Sequence, residues 1–315
     1  MVSAPAPATA RDPVAWDLAP LPSSLAPAAA RAFCRAVAAR HYENFTVATL
    51  LLPRRLRQHV ANVYTFARWA DDLADESAGP AAATAALADW RRRLEACFAG
   101  RPDHPVFVAL AETVTETGLP MQPFSDLLDA FGQDQTTTRY ATRAELLDYC
   151  RRSADPVGRI VLGLEGCRDP DLVRMSDAIC TGLQLVNFWQ DITRDRLAGR
   201  IYLPAEDMAR HGVTEPMLAT PPAAEAVRAL IRDEVSWARE CFNAGADLPG
   251  LAPRSLRPAI AMFLAGGRAV ADAIERAGFD TLARRPTVSR GRKLWLAGRA
   301  LVAAVAGGWS RGAGP

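Results

Sequence analysis

Gln184-Leu185-Val186-Asn187-Phe188-Trp189-Gln190-Asp191-Ile192-Thr193-Arg194-Asp195 is followed closely by Gly199-Arg200-Ile201-Tyr202-Leu203-Pro204. Read as a helix, the first stretch puts Gln184, Asn187, Asp191 and Asp195 on one face, at i, i+3, i+7 and i+11. Leu183, Val186, Trp189 and Ile192 cover its flanks. A narrow polar stripe crowded by apolar residues predicts a stripe that faces inward rather than a solvated surface. Asp191 and Asp195 are like charges at i, i+4, a pairing that costs about 0.2–0.5 kcal/mol when exposed and more when buried without a partner. A cation between them resolves the conflict. Mg²⁺ suits this best, because it takes carboxylate oxygens and keeps waters that a phosphate can replace.

A second copy of the pattern lies upstream. Tyr64, Arg68, Asp71 and Asp75 stand at i, i+4, i+7 and i+11, with Asp72 beside them and Val60, Val63, Phe66, Ala67 and Ala70 around them. Two inward acidic helices can face each other and hold metal ions across a cavity. The bland alternative makes both stripes solvated faces, and the apolar residues flanking each stripe argue against it.

The remaining sequence fits an all-α chain. It has 315 residues and is 50% hydrophobic, enough for one large core or at most two domains. The net charge of +2 gives no basic surplus for a nucleic-acid partner. Cys34, Cys97, Cys150, Cys167, Cys180 and Cys241 are scattered, without zinc spacing or a disulfide framework. They read as small hydrophobes of a reduced, cytoplasmic protein. No basic segment followed by an apolar run opens the chain, and no run of about 18 apolar residues predicts a membrane span. Residues 1–24 are rich in Ala and Pro and predict a loosely packed or disordered tail. Residues 25–308 read as one helical domain, and 309–315 as a disordered end. Predicted helices run over 54–77, 81–98, 105–117, 123–131, 143–164 with a break at Asp155-Pro156, 170 onward, 223–246 and 258–277. Residues 133–142 read as a polar loop, and Gly158 as a point of kinking or close approach. No strand pattern of period two stands out.

Several chemistries are absent from the motifs: no GxSxG elbow, no phosphate-binding P-loop and no dinucleotide-binding glycine fingerprint. His59, His104 and His211 are isolated and read as surface or core residues. What remains is paired carboxylates, nearby Arg and Tyr, and a greasy interior. Carboxylate-bound Mg²⁺ binds diphosphates, and an apolar pocket suits a hydrocarbon tail. Together they point to an allylic or cyclopropylcarbinyl diphosphate that ionises, with Arg68 first and Arg194, Arg200 and Arg290 as further candidates to grip phosphate oxygens.

Tyr64-x3-Arg68-x2-Asp71-Asp72-x2-Asp75, Gln184-x2-Asn187-x3-Asp191-x3-Asp195 and Gly199-Arg200-x-Tyr202-Leu203-Pro204 resemble the signatures of the squalene/phytoene synthase family. Tyr149 to Gly158 resembles the helix that lies between them. The resemblance covers residues from about 30 to 295. It implies an isoprenoid synthase fold around a central cavity. It also implies Mg²⁺, or Mn²⁺ in its place, held by Asp71, Asp72, Asp75, Asn187, Asp191 and Asp195, with Tyr149 among the catalytic residues. Gln184, Ser153, Tyr202, Tyr64 and the arginines then contact a prenyl diphosphate.

Most members carry a Ser-rich segment before the first acidic helix; this chain has His41-Tyr42-Glu43-Asn44-Phe45. In that segment, in Tyr149 to Gly158 and in Asn187 to Asp191, the chain resembles the bacterial hydroxysqualene synthases of the hopanoid pathway. That subgroup implies a lyase reaction of presqualene diphosphate with water, without NADPH. It makes His41, Tyr42, Asn44 and Phe45 candidate contacts for substrate or water, and other squalene-pathway enzymes candidate partners. Two alternatives stand beside it: a transferase that condenses two prenyl diphosphates head to head, and a non-catalytic helical lipid carrier. The C-terminal stretch from Arg290 to Trp309 mixes Arg and Lys with Leu, Val and Trp. It predicts a final docked helix, with a peripheral contact on the inner membrane face as the alternative.

Overall fold

The computed structural model describes residues 26–40 and 51–289, together with Gly291, Arg292, Trp295 and Gly298. The predicted tail, the His41 to Phe45 segment, Arg290 and the end of the chain lie outside the described residues. Between residues 26 and 289 the described residues form twelve α-helices, one 3-10 helix and no strand. The helices are α1 (Pro27–Arg40), α2 (Arg54–Asp75), α3 (Pro80–Phe98), α4 (Pro105–Thr117), α5 (Gln122–Gln133) and α6 (Arg143–Ser153). They continue as α7 (Asp155–Gly163), α8 (Pro170–Leu197), α9 (Ala205–Arg210), α10 (Glu225–Ala244), α11 (Leu248–Leu251) and α12 (Arg257–Arg276). None is long and apolar enough to cross a membrane.

Local chemistry sets the boundaries. Asp169 caps α8 by accepting from the Asp171 N–H at 2.8 Å, and Pro170 fills the first position, where a missing N–H costs nothing. Thr142 caps α6, while Glu145 reaches back to the Ala141 N–H at 2.7 Å, a variant of the capping box. Gly118 ends α4 in the left-handed conformation, φ 65°. His104 caps the start of α4: its Nδ1 accepts from the Val106 N–H. The ring lies edge-on to Trp69 and Trp90, and burial pushes its pKa down to about 4. It is therefore a core residue and stays neutral.

Two packing centres orient the acidic helices. On α2, Phe66 is fully buried and meets Phe124 edge-on at 5.4 Å, while Trp69 stacks on Trp90 at 5.7 Å. Asn62 on the same side donates to the Ala109 carbonyl and to Thr113. This face docks α2 on α3, α4 and α5, which turns Tyr64, Arg68, Asp71 and Asp75 the other way. On α8, Leu185, Val186 and Trp189 are fully buried, and the Trp189 indole donates to the Glu234 carbonyl of α10 at 3.0 Å. Phe242 of α10 wedges against α8, where a Cβ on Gly182 would lie 2.8 Å from its ring. Only glycine admits that approach.

Behind α8 sits a buried charge cluster. Arg143 donates to Asp207 at 2.7 Å, lies 3.6 Å from Glu234 and covers the Trp237 ring. Burial raises the Glu234 carboxyl to about 7 against the pull of Arg143. The folded protein therefore holds a proton there that the unfolded chain releases from about pH 4.5 upward. Stability from this group falls as pH rises through that window. Glu234→Gln is expected to gain on the parent between pH 5 and pH 8 by on the order of 2 kcal/mol, read from denaturant unfolding at both values. A gap that does not change with pH contradicts this.

Candidate active site

A cleft of about 540 Å³ runs along α8, lined by Gln184, Asn187, Asp191, Arg194, Asp195 and Arg285 among others. A second, largely apolar pocket of about 320 Å³ adjoins it, walled by Val157, Val161, Leu162, Leu183, Ile260 and Phe263. Gln184 and Asn187 line both. The polar stripe thus forms the wall of a partly open cleft, and its first turn borders a space fit for hydrocarbon.

Arg200 links the two acidic helices. Its guanidinium lies 3.7 Å from Asp75, and its charge also acts on Asp71, Asp134 and Asp195. It is placed by the turn at Gly199, φ 82°, and by two backbone bonds that tie this turn to the 134–142 loop. The Ile201 N–H donates to the Thr138 carbonyl, and the Ala205 N–H to the Tyr140 carbonyl, both at 2.9 Å. These bonds gather an aromatic wall: Phe188 stacks on Tyr202 at 3.8 Å, and Tyr149 meets Tyr202, Tyr140 and Phe188.

The acids differ in their counter-charges. Arg68 holds Asp72 at 2.5 Å and Asp71 at 3.2 Å. Arg285 grips both oxygens of Asp191, with Nη2 at 2.8 Å from Oδ2, and the same Nη2 donates to the Gln190 amide oxygen at 2.9 Å. Arg194 points largely to solvent, 71% exposed and 3.6 Å from Asp191. Burial, then the Asp75 charge, raises Asp71 to about 6. Burial, then Asp191, raises Asp195 to about 7.

Among the described residues no three of His, Cys, Asp and Glu gather as a ready-made metal cage. Arg68 holds Asp72 and also reaches Asp71, and the expected carboxylates are spread over two helices, Asp71, Asp72 and Asp75 on α2 and Asp191 and Asp195 on α8. Pairs still fit Mg²⁺, which characteristically takes one or two carboxylates and completes its octahedron with water and substrate phosphate. Raised carboxyls at Asp71 and Asp195 mark places where burial calls for more positive charge than the protein supplies.

Tyr149 is buried, and its hydroxyl donates to Asp134 at 2.9 Å. Burial raises Asp134 to about 6 and lifts the Tyr149 phenol well above its usual value. Tyr64 and Arg68 lie on the α2 face that carries the acids. Ser153 lines the apolar pocket. Asp134 and Arg285 had no signal of their own in the sequence: one sits in a polar loop, the other in an Arg-Arg-Pro run outside any helical period. Arg285 is nevertheless tied down, since buried Gln190 donates to the Pro286 carbonyl.

A carboxylate cleft opening onto an apolar pocket inside a helical bundle defines an isoprenoid-synthase-type site. The squalene/phytoene synthase family model matches residues 38–292, and the chain belongs to that family, whose members act on prenyl diphosphates. It is 43% identical to squalene synthase HpnC from Alicyclobacillus acidocaldarius, with a TM-score of 0.77, over 80% of this chain and 95% of that one. A dehydrosqualene synthase structure shares 28% identity with a TM-score of 0.80, over 89% and 98%. The 15-cis-phytoene synthase of Synechococcus elongatus is 33% identical over 83% of this chain and 89% of its own length.

Asp195→Asn removes one of two mutually repelling, partly buried carboxylates. The metal-free protein is expected to gain on the order of 1 kcal/mol at pH 8 while turnover is lost. Thermal unfolding in chelator, beside an activity assay, checks both, and a destabilised variant contradicts the electrostatic reading.

Proposed function

We propose that this chain converts presqualene diphosphate and water into hydroxysqualene and diphosphate, with Mg²⁺ and without NADPH. The observation that carries the reading is the junction of the two cavities at Gln184 and Asn187. A diphosphate seated against α8 has its carbon skeleton in the apolar pocket. Support for the subgroup comes from the 43% identity to squalene synthase HpnC.

Asp71 and Asp75 on one helix, and Asn187, Asp191 and Asp195 on the other, would hold the metal. Bound there, Mg²⁺ supplies positive charge to the leaving diphosphate. The chain's own cations add to it: Arg68, Arg200 and Arg285 stand among the acids and donate hydrogen bonds that strengthen as negative charge develops on phosphate oxygen. Phe188 and Tyr202 line the carboxylate cleft, where their ring faces would offer negative π-density to a carbocation formed at the border of the two cavities. The apolar walls limit the water that reaches it.

The named relatives favour a second reading. The curated phytoene synthases of cyanobacteria are 31–34% identical, so head-to-head condensation of two prenyl diphosphates is the competing activity.

Purified protein with Mg²⁺ and no NADPH, given presqualene diphosphate or farnesyl diphosphate separately, decides between them by product mass. The expected outcome is a triterpene alcohol from presqualene diphosphate, unreacted farnesyl diphosphate, and no product from either with chelator present. Consumption of farnesyl diphosphate establishes the second reading.

A further inference from the structure

Asp191 and Asp195 call for a cation between them, and the chain brings one of its own. Arg285 grips both oxygens of Asp191, with Nε at 2.5 Å from Oδ1 and Nη2 at 2.8 Å from Oδ2. The same Nη2 donates to the Gln190 amide oxygen at 2.9 Å. Its charge also reaches Asp195, one turn further along α8. A two-point fork of this kind is stronger and more specific than a single contact.

The fork is placed by its backbone. The segment after α12 is tied to α8 on both sides of Asp191: buried Gln190 donates to the Pro286 carbonyl, and the Thr193 hydroxyl donates to the Leu282 carbonyl at 3.5 Å. Thr287 and Val288 then continue along the wall of the cleft. With the backbone docked at both ends, much of the freedom that an arginine gives up in forming an ion pair is already lost. Arg194 gives the contrast. It approaches the same carboxylate only to 3.6 Å, beyond hydrogen-bond reach, and its side chain is 71% exposed.

A divalent cation at Asp191 needs the oxygens that this fork covers. It would also enter beside a positive charge already seated there, and like charges at such separations repel. We infer that Arg285 competes with metal for Asp191: the fork must open before a divalent cation binds that carboxylate, and this lowers the metal affinity of the cleft when no substrate is bound. The inference rests on the carboxylate metal site of the proposed function and is independent of which product forms. Arg285 acts here through Asp191, as a residue that sets how tightly α8 holds its metal.

The test is Mn²⁺ binding by the full chain without substrate, read from the loss of the free-ion signal in electron paramagnetic resonance. Arg285→Gln is expected to bind Mn²⁺ about tenfold more tightly than the parent, the scale of one charge-assisted hydrogen bond removed from competition. Arg285→Lys keeps the charge and loses the fork; its expected gain is about threefold, and it carries the test where Arg285→Gln does not fold. Arg194→Gln removes the same charge near the same carboxylate and is expected to change affinity by less than about twofold. In an Asp191→Asn background the gain from Arg285→Gln should vanish. Unchanged affinity in the Arg285 variants overturns the inference. So does an equal gain in Arg194→Gln, which marks a general charge effect, or a gain that survives Asp191→Asn. If Asp191→Asn combined with Asp195→Asn leaves Mn²⁺ binding as it is in the parent, the metal site of the proposed function is wrong, and this inference falls with it.

Discussion

One constraint governs this molecule: α8 must bury one side tightly enough to hold repelling carboxylates on the other. Trp189 anchors its azimuth through a single indole donor to the Glu234 carbonyl, and Phe242 wedges against Gly182. Rotating α8 by one residue, about 100°, would take the indole off its acceptor and press backbone against the Phe242 ring. The cost of that rotation exceeds the repulsion between Asp191 and Asp195, which as an exposed pair is only a few tenths of a kcal/mol. Core packing therefore sets where the acids point. The same logic holds on α2, where Phe66, Trp69 and Asn62 fix the helix and the acidic face is what remains.

Electrostatics then divides the acids into two kinds. Asp72 and Asp191 have close arginine partners in Arg68 and Arg285. Asp71 and Asp195 are raised by burial and by neighbouring acids, Asp71 even with Arg68 at 3.2 Å. A site with every carboxylate neutralised by arginine would resist metal, and one with none would be too repulsive to fold around. The arrangement found lies between these extremes. On the proposed function, a metal-bound diphosphate would draw the hydrogen bonds of these arginines to its own oxygens, because guanidinium matches phosphate as well as carboxylate geometry.

Much of this was legible in the sequence, where the physics is local. The range 105–117 for α4 follows from Pro105 at its start and Gly118 after its end, and the break at Asp155-Pro156 separates α6 from α7. Acidic spacing on α2 and α8 is visible because 3.6-residue periodicity places i, i+4, i+7 and i+11 together. Asp134 and Arg285 were not legible. Their positions depend on contacts between loops, the 134–142 segment bonded to residues 200–205 and the Pro286 carbonyl held by Gln190, and no period encodes such pairings. Spacing counts the carboxylates on a face, whereas which of them an arginine holds, as Arg68 holds Asp72, depends on side-chain contacts.

The border at Gln184 and Asn187 links fold to chemistry. On one side lie carboxylates and arginines; on the other lie Val157, Val161, Leu183 and Ile260. Charge separation across such a border is favoured when the anion leaves toward fixed positive groups and the cation remains beside aromatic faces. Both are preorganised by packing and need no solvent to reorient. Bulk water would erase the advantage by solvating both ions alike. A site that nevertheless delivers one water must admit it through a polar group set within apolar walls.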